Sequence, residues 1–283
     1  MPTDGVDVIL DFHGIAGPWK PLKVTGAANR IYATEDIVLR IATEHRDAVV
    51  DAQTESLAAP AAFAAGIMTP RLIAFDDSGR LLNGPYSIWE RVHAETLGLA
   101  NLTPSQRGDL WQQVGTQISH LHSKVVSCPD PNGYLDTPLR ELSLDSGLQQ
   151  LVESGHADEG TVREIRLLIR DLSPYLSQTC PQLFVHNDLH EMNIMCQAGQ
   201  LRALLDWGDA GWGDPTLDFA AIPLDQISAA RVGYGASHWR RLGDAPEARF
   251  IWDRLHSAMD DAIKSPENKI PVREYRRFLD EVA

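Results

Sequence analysis

Residues 184–220 read FVHNDLHEMNIMCQAGQLRALLDWGDAGWGDPTLDFA, a stretch in which acidic and amide side chains interrupt short apolar runs. LFVHNDLH predicts a strand that enters a loop, and NIMC and LRALLDW predict a hairpin turned by residues 197–200. Asn193 and Asp206 would then lie near two strand ends that face the same space, with Asp188 on the preceding loop. Because carboxylates are costly to desolvate, these positions require a compensating charge.

The three side chains form a candidate site for a magnesium nucleotide. Mg²⁺ binds carboxylate and amide oxygens and keeps positions open for substrate phosphates, which suits Asn193 and Asp206 as metal ligands. Asp188 is left as a base or orienting group. The spacing of the three residues matches the catalytic loop and metal aspartate of the kinase plan. The alternative, that they are ordinary turn residues, explains one of them far better than all three together.

The chain up to about residue 92 is β-rich. Residues 23–42, KVTGAANRIYATEDIVLRIA, predict a hairpin turned at residues 34–36, and PRLIAFD and PYSIWERV predict two further strands. Arg40 lies on a half-apolar face of the second hairpin strand, so it needs an anionic partner. A helix is predicted from about residue 46 to residue 65, and it carries Glu55.

The remainder of the chain is mostly helical in pattern. Thr103 and Gln106 predict a capping box at the start of one helix, and Thr161 is the expected start of another. These patterns predict an α+β fold with a small β-rich lobe, residues 1–92, and a larger helical lobe, residues 93–283. The cleft between two such lobes is the natural ligand site.

Composition narrows the range of partners. The net charge of −14 repels nucleic-acid phosphates and anionic lipids and favours cationic small molecules. No run of about 18 apolar residues and no secretory leader pattern is present, so we expect a cytoplasmic protein without membrane contact. Cys128, Cys180 and Cys196 contain no CxxC pair, which fits reduced thiols.

The chain resembles the aminoglycoside phosphotransferase and choline kinase superfamily, a set of small-molecule kinases with a protein-kinase-like, two-lobed fold. HNDLHEMNIM and LLDWGDAGWGDPTLDFA look like the family signatures HGDLHxxN and IDWxxAxxGDPxxDLA. TGAANRIY looks like its nucleotide loop, IVLRIA like its third strand and SIWERV like the hinge between the lobes. The resemblance runs in order over most of the chain.

The resemblance implies a role for each site residue. Asp188 would accept or orient the proton of the substrate hydroxyl, and Asn193 and Asp206 would coordinate Mg²⁺. ATP or GTP would be bound by Gly26 and Asn29 of the nucleotide loop, by Arg40 paired with Glu55, and by the backbone near Arg91 and Val92. His186 and Asp218 would be scaffold residues that hold the catalytic loop in shape.

Several positions depart from the family pattern. Arg40 stands where many members have Lys, and the nucleotide loop has Gly26 as its single glycine. Asn187 replaces a usual Gly, and residues 191–192, Glu and Met, replace a usual Pro-Gly. Residues 93–94, His and Ala, follow the hinge where a Gly is usual. The carboxylate at position 191 either adds negative charge beside a cationic substrate or is simply solvated.

The acceptor pocket is expected within residues 222–283. Its candidate lining consists of carboxylates and aromatics that suit a polycationic amino sugar, a basic peptide or a quaternary amine: Asp225, Trp239, Asp244, Trp252, Asp253, Asp260 and Asp261. The alternative is that these are solvated helix faces and core tryptophans.

Three functions remain open at this point. The favoured one is a kinase that inactivates a cationic antibiotic, an aminoglycoside or a basic peptide, because the chain is acidic. The second is a metabolic kinase acting on an amino alcohol, an amino acid or a sugar. The third is a pseudokinase that binds nucleotide without transfer, and the intact Asp188, Asn193 and Asp206 argue against it. A monomer or a homodimer is expected.

Overall fold

The smaller lobe is built on an antiparallel sheet. The computed structural model describes residues 5–22, 29–135, 140–176 and 180–282, so Gly26 of the expected nucleotide loop lies outside the described residues. The strands are β1 (Lys20–Pro21), β2 (Asn29–Ala33), β3 (Ile37–Ala42), β4 (Leu72–Asp76) and β5 (Tyr86–Glu90). Their order in the sheet is β1-β2-β3-β5-β4.

The predicted hairpin at residues 34–36 is confirmed for its described part. Strands β2 and β3 pair with Ile31 opposite Arg40. Alternate side chains of β3, at Ile37, Leu39 and Ile41, are buried. They pack against β5 and the short helix α1 (Val6–Phe12), which covers this face of the sheet. The opposite face therefore remains available to carry Arg40.

Helix α2 (Arg46–Ala64) confirms the predicted helix and ends one residue before the expected Ala65. Thr54 and Glu55 on this helix are buried. A segment of the larger lobe fastens α2 in place, because the Thr54 hydroxyl donates to the backbone oxygen of Tyr134 at 2.5 Å. The Tyr134 hydroxyl in turn donates to Asp77 Oδ2 at 2.8 Å, at the end of β4. The position of Glu55 is thus set by contacts from both lobes.

The larger lobe consists mainly of helices. They are α3 (Pro104–Lys124), α4 (Asp145–Ser154), α5 (Glu159–Leu172), α6 (Ile227–Tyr234), α7 (Ala236–Arg241), α8 (Pro246–Lys264) and α9 (Val272–Val282). The capping box of α3 is confirmed, since Thr103 accepts the Gln106 N–H and the Gln106 side chain accepts the Thr103 N–H. Helices α3 and α6 cross at Gly115 and Gly233, where the backbones touch. No helix in the described part of the chain is long and apolar enough to cross a membrane.

The predicted start of α5 at Thr161 is wrong by two residues. The helix begins at Glu159, and Asp158 is its N-cap, accepting the Thr161 N–H at 2.7 Å. Asp and Thr are both good N-cap residues, and the earlier of the two candidates is used.

Two small sheets carry the stretch quoted at the outset. Strand β7 (Leu183–Val185) pairs with β10 (Gly211–Gly213), and β6 (Glu95–Thr96) pairs with β8 (Ile194–Gln197), which pairs with β9 (Gln200–Leu204). The predicted strand and hairpin are therefore confirmed. Residues 91–94 connect β5 of the first sheet to β6 of this one, and the lobe boundary at Val92 stays a prediction.

Candidate active site

Asp188 lies on the loop that follows β7, with its side chain 34% exposed. The Asn193 side-chain amide donates to the backbone oxygen of Asp188 at 2.9 Å and to its Oδ2 at 2.8 Å. His190 Nε2 lies 3.4 Å from the same Oδ2. Burial acts to raise the pKa of Asp188, but its contacts with His190 and Asn193, together with the nearby His186, outweigh burial and lower the pKa. The Asp188 side chain is thus favoured as an ionised carboxylate that remains partly exposed to solvent.

Asn193, the predicted metal ligand, is fixed in place by its own hydrogen bonds. It closes a short 3₁₀ helix, Glu191–Asn193, and its backbone oxygen accepts the Leu205 N–H at 2.8 Å. Because its side-chain nitrogen is occupied by Asp188, its side-chain oxygen points away from that carboxylate. No described donor contacts this oxygen, which is therefore free to act as a ligand.

Asp206 follows β9 in a left-handed backbone conformation, with φ of 64°. Its side chain is 47% exposed, and one oxygen accepts from Arg40 Nη2 at 3.1 Å. Left-handed backbone costs energy for residues other than Gly, although Asp tolerates it better than most. The loop therefore carries strain at the position where the sequence predicts a metal ligand.

Arg40 joins the two lobes at this point. Its Nη1 donates to both carboxylate oxygens of Glu55, at 2.6 and 2.7 Å, while Nη2 reaches Asp206. Burial opposes the charge of Arg40, but Glu55 and Asp206 outweigh it and raise its pKa. Burial also raises the pKa of Glu55, against the opposing charge of Arg40. Arg40 was expected to need one anionic partner, and the structure provides two, Glu55 and Asp206.

Asp218 accepts hydrogen bonds from the loop that carries Asp188, the candidate catalytic loop (residues 186–193). Its Oδ1 accepts the backbone N–H groups of His186 at 2.8 Å and Asn187 at 2.7 Å. Asn187 has φ of 66°, in the left-handed region where Asn is among the better tolerated residues. This conformation explains why Asn can stand where related sequences have Gly.

His186 is completely buried. Burial lowers its pKa, which favours the neutral ring. Its Nε2 lies 2.9 Å from the Leu205 backbone oxygen and must donate to it, since a carbonyl only accepts. The centre of its ring lies 4.4 Å from that of Trp207, with the two ring planes tilted by 46°. His186 therefore ties the catalytic loop to the loop that carries Asp206.

His122 and Tyr234 belong to the same network, although the sequence patterns did not indicate a role for them. His122 Nε2 lies 2.8 Å from Asp218 Oδ2, and its Nδ1 lies 2.9 Å from the Tyr234 hydroxyl. A signal was available: His122 follows Ile118 by four residues and so falls on the apolar stripe of α3. A histidine at a buried position needs a polar partner.

The expected nucleotide-binding residues of the smaller lobe are only partly assembled. Asn29 begins β2 opposite Ala42. The Arg91 N–H donates to Asp36 O at 2.8 Å, so this amide is not available to a base. The Val92 N–H has no partner among the described residues, while its carbonyl accepts from a neighbour two residues on. The His93 N–H likewise has no partner among the described residues, so Val92 and His93 are the hinge amides left available to a nucleotide.

The structure decides between the alternatives left open for Glu191 and for the two candidate tryptophans, which take the core position. The Glu191 carboxylate contacts Arg107 on α3, so it is neither a free negative charge nor simply solvated. Trp239 and Trp252 are 5% and 1% exposed and lie in the core, so neither offers a ring face to an acceptor. Asp253 pairs with Arg140 at 2.8 Å. Helical spacing in the sequence cannot distinguish an aromatic core position from a pocket wall.

Asp188 and Asn193 contact each other directly, and Asp206 follows Leu205, whose N–H donates to the Asn193 backbone oxygen. Within the described ranges, no three His, Cys, Asp or Glu side chains lie close enough to hold a metal ion alone. A set of one amide and one or two carboxylates fits Mg²⁺, which completes its shell with substrate phosphates and water.

Comparisons with known proteins identify the family and the fold. The model of the phosphotransferase enzyme family (APH) matches residues 20–258. A comparison with curated proteins found no match. Similar solved structures include the ADP-bound aminoglycoside phosphotransferase APH(2'')-Ib, at 15% identity and a TM-score of 0.63, covering 99% of this chain and 97% of that one.

Two further structures show the breadth of the fold. One is the GDP and kanamycin complex of APH(2")-IIia, at 15% identity and a TM-score of 0.68, covering 96% of this chain and 97% of that one. The other is a choline/ethanolamine kinase family protein from Mesorhizobium loti, at 18% identity and a TM-score of 0.59, covering 99% and 92%. The chain therefore belongs to the phosphotransferase enzyme family and is a small-molecule kinase with an α+β, two-lobed, protein-kinase-like fold.

Proposed function

We propose that the chain transfers the γ-phosphate of ATP or GTP, with Mg²⁺, to a hydroxyl group of a small cationic molecule. The observation that carries this proposal is the group formed by Asp188, Asn193 and Asp206. Asp188 is an open carboxylate, Asn193 presents a free amide oxygen, and Asp206 keeps one carboxylate oxygen away from Arg40. The APH(2'') structures bound to ADP and to GDP support a nucleotide co-substrate of either kind.

The chain's own residues supply positioning and charge. Asn193 and Asp206 would hold Mg²⁺, which neutralises charge on the β and γ phosphates when bound. Arg40, held by Glu55, contributes a guanidinium that binds phosphate oxygens through a planar fork. A phosphate group that binds Arg40 would replace the Asp206 carboxylate as the second partner of the guanidinium.

Asp188 acts on the acceptor. Its carboxylate accepts the hydrogen bond of the substrate hydroxyl and aligns the oxygen with the γ-phosphorus. The new oxygen–phosphorus bond forms as the bond to the β-phosphate oxygen breaks, and the hydroxyl proton passes to Asp188 or to the transferred phosphate. Asn193 keeps Asp188 in place through its two hydrogen bonds. Phosphoryl transfer depends mostly on such positioning and on electrostatics.

The proposed acceptor is a cationic antibiotic, an aminoglycoside or a basic peptide, so that transfer confers resistance. The net charge of −14 favours a cationic substrate, and Asp188 adds negative charge at the reacting hydroxyl. The second candidate is a metabolic amino alcohol, and its support is the similarity to the choline/ethanolamine kinase family protein along 99% of the chain. The burial of Trp239 and Trp252 removes the aromatic faces that would have suited a quaternary amine.

Mass spectrometry of a mixed acceptor panel tests the proposal. The panel contains aminoglycosides, basic peptide antibiotics, amino alcohols, amino acids and sugars, incubated with enzyme, Mg²⁺ and ATP or GTP. We expect one phosphoryl mass gain on a cationic drug with the wild type and none with Asp188→Asn. Both proteins should bind nucleotide by calorimetry. Gain on a metabolite alone would favour the second candidate, and equal turnover by Asp188→Asn would remove Asp188 from the mechanism.

A further inference from the structure

A cavity lies in the larger lobe, beside the hydrogen-bonded network of His122, Tyr234 and Asp218. Its volume is about 510 Å³, and it is lined by His122, Ser123, Pro181, Leu183, Tyr234, His238, Arg241 and Leu242. The site residues Asp188, Asn193 and Asp206 are not among them. Small-molecule sites in proteins usually occupy about 300–1,000 Å³ and combine apolar walls with a few polar groups. The cavity has the size and the wall of such a site.

Positive charge is concentrated at the cavity although the chain as a whole carries −14. Arg241 and His238 line it, and neither forms an ion pair with any acid in the described part of the chain. Lys124 and His120 lie near His238, as shown by the pKa of His120, which is lowered by burial and then by the charges of Lys124 and His238. Arg241 supplies a permanent positive charge beside the cavity and His238 a ring nitrogen that can donate a hydrogen bond, a combination that favours an anion.

The nearest buried negative charge does not cancel this preference. Asp218 lies behind the cavity wall, and its two oxygens accept from His122, His186 and Asn187. Asp218 therefore forms its hydrogen bonds with these three donors, and neither Arg241 nor His238 contacts its carboxylate among the described residues. Pro181, Leu183 and Leu242 supply the apolar part of the wall. The chemistry therefore matches a molecule with an apolar body and one anionic group.

We propose that this cavity binds a small organic anion, and that its occupancy stabilises the catalytic loop. The anionic group contacts Arg241 and His238, and the apolar body lies against Pro181 and Leu183. The Tyr234 hydroxyl contacts His122, which contacts Asp218, the acceptor for the amides of the catalytic loop. A ligand that binds only the assembled wall makes local opening of this network less favourable, by mass action.

The binding test uses 2-naphthoate and its neutral isostere 2-naphthamide. Each is titrated into the full chain and followed by ligand-observed NMR, with Mg²⁺ and ADP added to compete for the proposed nucleotide site. We expect 2-naphthoate to bind saturably and 2-naphthamide to bind about tenfold more weakly or worse, because it lacks a charge-assisted hydrogen bond. Equal affinities, or no saturable binding of 2-naphthoate, would overturn the proposal.

Two neighbouring arginines provide matched variants. Arg241→Gln removes the cation that lines the cavity, while Arg240→Gln removes an exposed cation one residue away that does not line it. We expect the first to weaken 2-naphthoate binding about tenfold or more and the second to leave it unchanged. His238→Gln is the second lining variant and should weaken binding in the same direction. Similar binding by Arg240→Gln and Arg241→Gln would place the ligand elsewhere.

Hydrogen exchange measures the link to the catalytic loop. The amides of His186 and Asn187 both donate to Asp218, so their exchange reports opening of this network. With 2-naphthoate at ten times its Kd, exchange should slow by up to about elevenfold, and Arg241→Gln should abolish the effect at the same concentration. Unchanged exchange in the presence of bound naphthoate would refute the link. None of these readouts depends on kinase turnover, so their outcome is independent of the proposed function.

Discussion

Replacing Gly115 with Ala tests how closely α3 and α6 must cross. A Cβ atom at position 115 would lie 1.9 Å from the backbone oxygen of Ala230 and 2.8 Å from its carbonyl carbon. The contact is reciprocal, since a Cβ at Gly233 would lie 1.8 Å from the backbone oxygen of Gln112. Both obstacles are backbone atoms, which cannot move aside as a flexible side chain can. The two helices must therefore separate.

The cost follows from the distance. A separation of about 1.1 Å is needed before the new Cβ reaches even the 3.0 Å limit of real contacts. Overpacking of a well-packed core costs about 1–3 kcal/mol and occasionally more. Backbone contact places this case at the upper end, and the better helix propensity of Ala returns about 1 kcal/mol at most. We expect a net loss of about 2–3 kcal/mol, or roughly 4–12 °C in melting temperature.

Gly108→Ala is the matched control. Gly108 lies on the same helix, and no atom lies within 4 Å of the Cβ position. Ala there should stabilise the protein by about 0.5–1 kcal/mol, because it lowers the entropy lost on folding. Thermal melting followed by circular dichroism gives both values. If Gly115→Ala melted at the temperature of Gly108→Ala or above it, the close crossing would be refuted.

Three further predictions concern charge and thiols. Glu55→Gln should weaken nucleotide binding about tenfold, because Arg40 loses a charge-assisted contact of about 1.5–3 kcal/mol. Calorimetry measures the affinity, and an unchanged affinity would exclude Arg40 from phosphate binding. Burial acts to raise the pKa of Asp214, but Arg140 and Arg249 outweigh it and lower that pKa. The ionised Asp214 carboxylate therefore stabilises the fold above about pH 4, and this stabilisation is lost as the pH falls through the folded-state pKa. Asp214→Asn should lower the melting temperature at pH 7, and the difference between its melting temperature and that of the wild type should become smaller in acid. Burial raises the pKa of all three thiols, so they should react slowly with a disulfide reagent at pH 7 and rapidly in denaturant. Cys196 is buried while Cys128 and Cys180 are half-buried, so Cys196 should react most slowly, and its fast reaction in the native state would contradict its burial.

Short-range patterns predicted most of the local structure. The hairpin at residues 34–36, the capping box at Thr103 and the hairpin between Asn193 and Asp206 depend on contacts a few residues apart, and each is confirmed. The start of α5 was missed because Asp158 and Thr161 are both good caps. Local preference alone cannot choose between two similar candidates when tertiary packing decides the final turn.

Long-range partners were beyond the reach of periodicity. The contact between Thr54 and Tyr134 joins positions 80 residues apart, and that between His122 and Asp218 joins positions 96 residues apart. Each depends on how separate helices and strands pack. Trp252 illustrates the same limit. The sequence pattern indicates which face of a helix carries it, but does not indicate that this face is buried in the core.

The sequence by itself determined the fold class, the family and the candidate site residues Asp188, Asn193 and Asp206, because their types and spacing are carried by one continuous stretch of chain. Only the tertiary structure decided that Arg40 contacts both Glu55 and Asp206, that Glu191 is neutralised by Arg107, and that the candidate tryptophans lie in the core. Spacing along the chain sets which groups can lie on one loop or strand. Burial and charge pairing depend on which distant segments pack against them.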